Sequence, residues 1–508
     1  MNLNENKDFD ATLELIGYGK FHYNVMACCA FCFISTGLQY GLSAYVVPAA
    51  HCELDLISTE IGFINASFLV GGMCSSFLWG VIADLSGRKK VLVATLLLDV
   101  IVTIICALTQ SFLGLMICRF VSGFLIGAPG SVTFTYLAEF HAPKHRTKSI
   151  YYSGVFLTIP WLILPALAWT ILPLNFNVAF GNFVLWSPWR AFLLVLTLPE
   201  IIGGIWLMNL PESPKFLAGV APDNALRVLQ HMYTMNTGRN RDECPVRYPH
   251  RSVIYRNSAI STDKTKSKIK NIILKIYVQI NRLFKPPLLS MTLLTTFVTF
   301  SNMFGYYGLG LWLPTLINKR ISENVSFPII NSNNDCSLNF DTSLYENTII
   351  MGVIALLSNL LAGWLSNKFE KRIIPLVTLL LGGISTGWIY WVNSSLQYLI
   401  AACIFQATMS ISNIAMGSVV VELFPTDVNA IAICTAIMAG RMGAIFSNVV
   451  FGFLIDVNTA VAIFFVAGIL IIGSLLCLFI PNSTEILSTA KVNNKNEIEL
   501  SVISMASK

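Results

Sequence analysis

Charge is scarce in this chain of 508 residues. Asp, Glu, Lys and Arg make up 12% of it and hydrophobic residues 55%, whereas a soluble domain is about a quarter charged. A mean hydropathy of +0.67 excludes an ordinary soluble fold. The constellations of catalysis are missing too. No phosphate-cradling glycine loop, nucleophile with its base, or metal-ligand spacing occurs among the 12 cysteines and 6 histidines. Neither a cofactor nor a metal is expected, and the chain does not read as an enzyme. Cys28, Cys29 and Cys32 share one apolar run, where cysteine acts as a small packing residue. Cys52 and Cys336 fall in outer loops and could pair in an oxidising lumen. Residues 1–22 are polar and lack the apolar core of a cleavable leader.

Long apolar runs take the place of charge. Twelve lie near 23–48, 58–82, 91–109, 112–138, 148–172, 190–210, 288–317, 347–367, 373–391, 396–421, 430–456 and 459–480. Most reach the roughly 20 residues that cross a bilayer core. They predict an all-α membrane protein, twelve transmembrane helices in two six-helix bundles. The bundles, 23–210 and 288–480, are joined by a basic linker, 211–287, and flanked by tails 1–22 and 481–508. Of the 33 Lys and Arg, only Arg119, Arg190, Lys319, Arg320 and Arg441 fall outside one alternating set of connections and tails. Cations stay on the cytoplasmic side, so both termini are expected inside. The formal charge of +6 then reflects topology and not a nucleic-acid partner. The linker either lies near anionic inner-leaflet lipids or serves topology alone. Asn324-Val-Ser, in the longest outer loop, is the credible glycosylation acceptor.

The connection after the second run reads Gly80-Val-Ile-Ala-Asp84-Leu-Ser-Gly87-Arg88-Lys89-Lys90. It holds a carboxylate, a turn glycine and three cations between two apolar runs. It resembles the loop 2–3 signature of the major facilitator superfamily of transporters. A degenerate repeat follows in the second half. Gly363 through Arg372 stands where 80–90 stands in the first, and Glu422-Leu-Phe-Pro425 answers Glu139-Phe-His-Ala-Pro143. Pro211-Glu212-Ser213-Pro214-Lys215 looks like the string that ends the first half of sugar-porter-type transporters. With Gly19-Lys20-Phe21-His22, Cys118-Arg119, Trp189-Arg190 and Tyr306-Tyr307-Gly308, the chain is similar to the synaptic vesicle glycoprotein 2 family over roughly 17–485. Two departures stand out. The two acids of that family's first helix align with Thr36 and Gln39, which cannot titrate, and its large luminal domain is replaced by a loop at 318–346.

The resemblance implies a secondary carrier of a small organic solute, a monomer in the bilayer of the plasma membrane or a vesicle, with a pathway between the bundles. The alternative is a non-transporting vesicle protein acting as sensor or trafficking partner. In this fold helices 1, 4, 7 and 10 line the cavity. On the first run Thr36, Gln39, Tyr40 and Ser43 share one helical face, and Gln406, Ser410 and Asn413 do so on the tenth. The seventh offers Ser301, Asn302, Tyr306, Tyr307 and Trp312. Such polar stripes either line a cavity or bond helices together. Asp84, Arg88, Glu139, Arg146, Arg372 and Glu422 resemble the cytoplasmic latch of sugar porters. Asp99 and Arg119 lie within ~4 Å of the same depth at ~1.5 Å per residue, which predicts an ion pair. That pair is either structural or, through Asp99, a proton-coupling site.

Overall fold

A computed structural model describes residues 3–174, 178–180, 184–246, 278, 280–286, 288–324, 342–370, 372–392, 394–424 and 428–481. A short α1 (Leu3–Ile16) precedes the first span, which is split into α2 (Lys20–Gly41) and α3 (Ser43–Leu54). The next three spans are α4 (Ser58–Ser86), α5 (Arg88–Leu108) and α6 (Phe112–Phe140). The fifth is split into α7 (Pro143–Val155) and α8 (Pro160–Ile171), and the sixth into α9 (Pro188–Leu196) and α10 (Leu198–Asn209). The splits fall where the sequence places Pro160 and Pro199, residues that cannot donate to the preceding turn. Linker helices α11 (Pro214–Val220) and α12 (Pro222–Thr237) follow. The second half is α13 (Leu288–Asn324), α14 (Thr342–Lys368), α15 (Ile373–Trp388), α16 (Ser395–Leu423), α17 (Asn429–Val457) and α18 (Thr459–Cys477). Among the described residues 11 helices are long and apolar enough to span a bilayer, or 12 when a second span bent by 45° is counted as one.

One short element departs from the expected connection between the fifth and sixth spans. Strands β1 (Val178–Phe180) and β2 (Val184–Trp186) pair antiparallel, with Ala179 opposite Leu185. Their alternating valines and aromatics suit a pleated ribbon.

The chain forms two compact units. The first is Met1–Ile269 with Leu311–Leu356 and Asn448–Asp456; the second is Lys270–Gly310, Leu357–Ser447 and Val457–Lys508. In the first unit the apolar core runs through Phe21, Val25, Cys28, Cys29, Cys32, Leu92, Leu96, Tyr136, Phe140, Leu207, Leu229 and Met232. The three cysteines are packing residues there, as their run predicts. Backbones approach closely at glycines. A Cβ at Gly123 of α6 would collide with the Phe68 carbonyl oxygen of α4, and one at Gly71 with that of Phe120. In the second unit Gly443 of α17 meets the Phe300 carbonyl of α13 in the same way. Small residues are how membrane helices, without a hydrophobic drive to associate, gain contact.

Leu311–Leu356 and Asn448–Asp456, segments of the later helices, belong to the first unit. There Gly352 of α14 abuts the Trp161 carbonyl, and Gly62 of α4 abuts Gly452 of α17. Trp312 donates to Asn448 Oδ1 at 3.1 Å and stacks on Phe451. Helix α5 shows how a span sorts its faces. Leu98, Ile101 and Ile105 are about half exposed, while Thr95, Asp99 and Thr103, one turn apart, are buried. Apolar side chains face lipid and polar ones face protein, the inverse of a soluble helix.

Candidate functional site

The densest polar cluster within the spans lies in the first unit, where α2, α5, α6 and α10 meet. Its centre is Gln39. The Arg119 guanidinium donates to Gln39 Oε1 and to the Gln39 main-chain oxygen, both at 2.8 Å. That carbonyl belongs to the last turn of α2, where an ending helix leaves acceptors without partners of its own. Gln39 Nε2 donates to Glu200 Oε1 at 2.9 Å and to Thr103 Oγ1 at 3.3 Å, and Ser122 Oγ donates to Gln39 Oε1 at 3.4 Å. The guanidinium also lies 4.3 Å over the Phe68 ring, a cation–π contact that strengthens without water.

The ion pair expected between Asp99 and Arg119 is not formed. Asp99 is fully buried, its two carboxyl oxygens have no hydrogen-bond partner, and Glu200 Oε2 has none. Ser122, Arg119 and Glu200 are the polar groups that Asp99 faces. Arg119 turned sideways to α2 because one glutamine there offers two acceptors to its planar fork. Glu200, which the sequence left without a partner, is held by Gln39.

Of the other expected cavity residues, Thr36 donates back to the Cys32 carbonyl at 2.8 Å and is buried. Tyr40 is half-buried and packs edge-on against Phe68. In the second half Asn302 Nδ2 donates to Asn413 Oδ1 at 2.5 Å, joining α13 to α16. Asn302 Oδ1 and the hydroxyls of Ser410 and Ser412 are buried without a hydrogen-bond partner. Gln406 is buried on the same helix, and Tyr306 meets Tyr307 edge-on at 5.1 Å. Two expectations are corrected. Ser301 faces Gly473 of α18 and donates to the Val298 carbonyl, so it is a helix-packing residue. Trp312 is bound to Asn448 and buried in the first unit.

The loop between α4 and α5 assembles around Arg88. Its Nη2 donates to Asp84 Oδ1 at 2.7 Å, and its Nε lies 3.1 Å from Glu139 Oε2. The main-chain N–H groups of Arg88, Lys89 and Ser213 all donate to Glu212 Oε1 at 3.0 Å. A carboxylate there meets the positive end of α5. Gly87 is required twice over: its φ is +105°, and a Cβ would collide with the Glu212 carboxylate. Ser213 Oγ donates to Glu139 and accepts from Phe216 N–H. The string 211–215 was visible in the sequence, but the roles of Glu212 and Ser213 were not assigned.

Arg146 takes another partner, Asp10 of α1 at 2.5 Å. Beside it Phe9, Phe134, Glu139, Arg146, Ile150 and Lys215 line a cavity of about 360 Å³. In the second unit Arg372 meets Glu370 at 3.5 Å and the Ile480 carbonyl at 3.2 Å. The side chains of Glu422, Asn324 and Cys52, all of Cys336 and the basic stretch 247–277 lie outside the described residues.

Nearby, the Tyr18 ring stacks on His22 and His145. His141 Nδ1 donates to the Leu137 carbonyl at 2.8 Å, and burial pulls the His141 imidazole down to about 4. A further cluster surrounds Glu53 of α3. Glu53 accepts from Ser187 Oγ and Trp189 Nε1, each at 2.6 Å, and from Arg190 Nη2 at 2.5 Å. Burial raises the Glu53 carboxyl, but these donors outweigh it and hold the group below the usual carboxylate range. Trp189-Arg190 was the sequence signal; its acidic partner lies far away in the chain.

Comparison with known proteins places this geometry. The model of the Major Facilitator Superfamily matches residues 29–332 and 336–500. Mouse synaptic vesicle glycoprotein 2C is 25% identical over 360 residues, 68% of this chain and 50% of that protein. Human synaptic vesicle glycoprotein 2A is 26% identical over 323 residues, 61% and 44%. The chain spans about half the length of the curated relatives it matches. The inward-open xylose transporter XylE from E. coli superimposes with a TM-score of 0.67 at 16% identity, covering 91% of this chain and 97% of that one. Its partially occluded form gives 0.65 at 15%, covering 91% and 100%. With an all-helical membrane-spanning body, a Gly87–Arg88 turn held by acids on either side and a family match over most of its length, this chain belongs to the Major Facilitator Superfamily.

Proposed function

We propose that the chain is a secondary transporter that moves a small organic solute by alternating access. One observation carries this above the rest. Asn302 Oδ1, Ser410 Oγ and Ser412 Oγ lie buried within α13 and α16 without a protein partner. Buried polar groups are otherwise almost always bonded, and in a membrane span they are costly and mark solute paths. Amides and hydroxyls beside Tyr306 and Tyr307 suit an uncharged or weakly charged polar solute. Monosaccharides are the first class to try, since the solved neighbours are xylose transporters. The termini face the cytoplasm, the carrier works as a monomer, and its membrane is that of the cell surface or a vesicle.

A second reading is a vesicle membrane protein that senses or traffics without transport. The neutral Thr36 and Gln39 favour it, because a chain without acids there lacks one means of using an ion gradient. A thermal-shift screen of the purified protein against monosaccharides and organic ions tests the first reading, since a ligand of the folded state raises its melting temperature. Saturable uptake of a hit into proteoliposomes, under proton and sodium gradients in turn, establishes transport. A clean screen together with no uptake of D-xylose would favour the sensor.

A further inference from the structure

The cluster around Gln39 holds more acid than base. Asp99 and Glu200 are both fully buried, and among the described residues the single cation facing them is Arg119. Three of the four carboxyl oxygens, Asp99 Oδ1 and Oδ2 and Glu200 Oε2, have no hydrogen-bond partner. The fourth, Glu200 Oε1, accepts from Gln39. The remaining groups turned toward this site are Thr103, Ser122, Cys106 and Cys118, none of which brings positive charge. Two carboxylates against one guanidinium would leave a net negative charge inside the membrane. Like charges at close quarters cannot both ionise there, and one group takes up a proton instead.

We propose that Asp99 and Glu200 form a proton-binding site that holds one exchangeable proton between them beside Arg119. The proton bound to one carboxyl is donated toward an unpartnered oxygen of the other. The remaining carboxylate balances Arg119. Gln39 links this proton to the first span. It donates to Glu200 through Nε2 while Arg119 grips its side-chain and main-chain oxygens. A shift of α2 that withdraws Gln39 removes a donor from Glu200, makes that carboxylate a better base and draws the proton toward it. In a carrier this proton would be the coupling ion, and that use rests on the transport reading above. The presence of the proton does not.

The test is therefore made on the empty protein. Infrared difference spectra of the full chain in nanodiscs, wild type minus variant at neutral pH, report the C=O stretch of a protonated carboxyl, identified by its shift in D2O. Asp99→Asn leaves Glu200 to balance Arg119 alone, and Glu200→Gln leaves Asp99 to do so. Each substitution is expected to abolish the one protonated-carboxyl band of the wild type. Asp99→Glu is expected to retain it, and thereby separates loss of the group from loss of the fold. A wild type without the band overturns the proposal, as does a band that survives either neutral substitution. Because no solute is added, a negative result here leaves transport standing, and failure of every uptake assay leaves the proton standing.

Discussion

Removing the Glu53 carboxylate should destabilise the first unit by about 3 kcal/mol. The Arg190 side chain is fully buried, and Glu53 is its acidic partner. Breaking a buried pair by deleting one member costs about 3–5 kcal/mol, since the other charge is left uncompensated. Two features move the figure to the lower end. Arg190 keeps a bond to the Ala107 carbonyl and stacks on Trp189 at 4.4 Å. Glu53 is also partly open to solvent, which screens the pair. The variants are Glu53→Ala, Arg190→Ala and their double mutant, followed by thermal unfolding in detergent. Non-additivity should reach about 1 kcal/mol or more, as for residues in one network. The pH dependence has a definite sign. A carboxyl held below its ordinary value of 4.5 stabilises the fold fully above that value and loses its effect as pH falls through the depressed one. Acidification from 7 to about 5.5, a range set for histidine switches, should therefore leave the clamp intact. If Glu53→Ala melts with the wild type, or the two single losses simply add, the clamp does not hold α3 to α9.

Gly87→Ala should cost about 2–4 kcal/mol, combining a left-handed backbone at about 1–3 kcal/mol with displacement of Glu212 from the start of α5; Glu212→Ala should reproduce the second part, and unfolding of both variants checks it. His141, buried and pulled from 6.5 to about 4, contributes its full stability above 6.5 and loses it as pH falls toward 4, because the unfolded chain binds the proton first. Replacing His141 by Asn should flatten the stability–pH curve between those values; a curve of unchanged shape would count against the burial. Gly123→Leu, forced against the Phe68 carbonyl, should prevent assembly of α4 on α6, read as loss of the monodisperse peak on gel filtration. Asn302→Ala should weaken binding of any solute that the screen finds at least tenfold, about 1.4 kcal/mol for one good hydrogen bond, and should also lower the melting temperature of the empty protein, because Asn413 Oδ1 loses its donor.

Much of this architecture was legible from residue order alone. Runs of about 20 apolar residues give the spans. Gly87 between Ser86 and Arg88 announces the turn, and Asp99 in an apolar run announces a buried acid. These features depend on composition and on position along one helix, which the sequence lists directly. Partner choice was not legible in the same way. Spacing sets how deep Asp99 and Arg119 sit, but not which way each points around its helix axis. That rotation is decided by packing, at close approaches such as those of Gly71 and Gly123 between α4 and α6, and it sends Arg119 of α6 to Gln39, while Arg146 of α7 meets Asp10. The Glu53–Arg190 clamp and the Glu212 cap join residues more than a hundred positions apart. Only the packed helices bring those groups within the few ångströms over which a hydrogen bond acts.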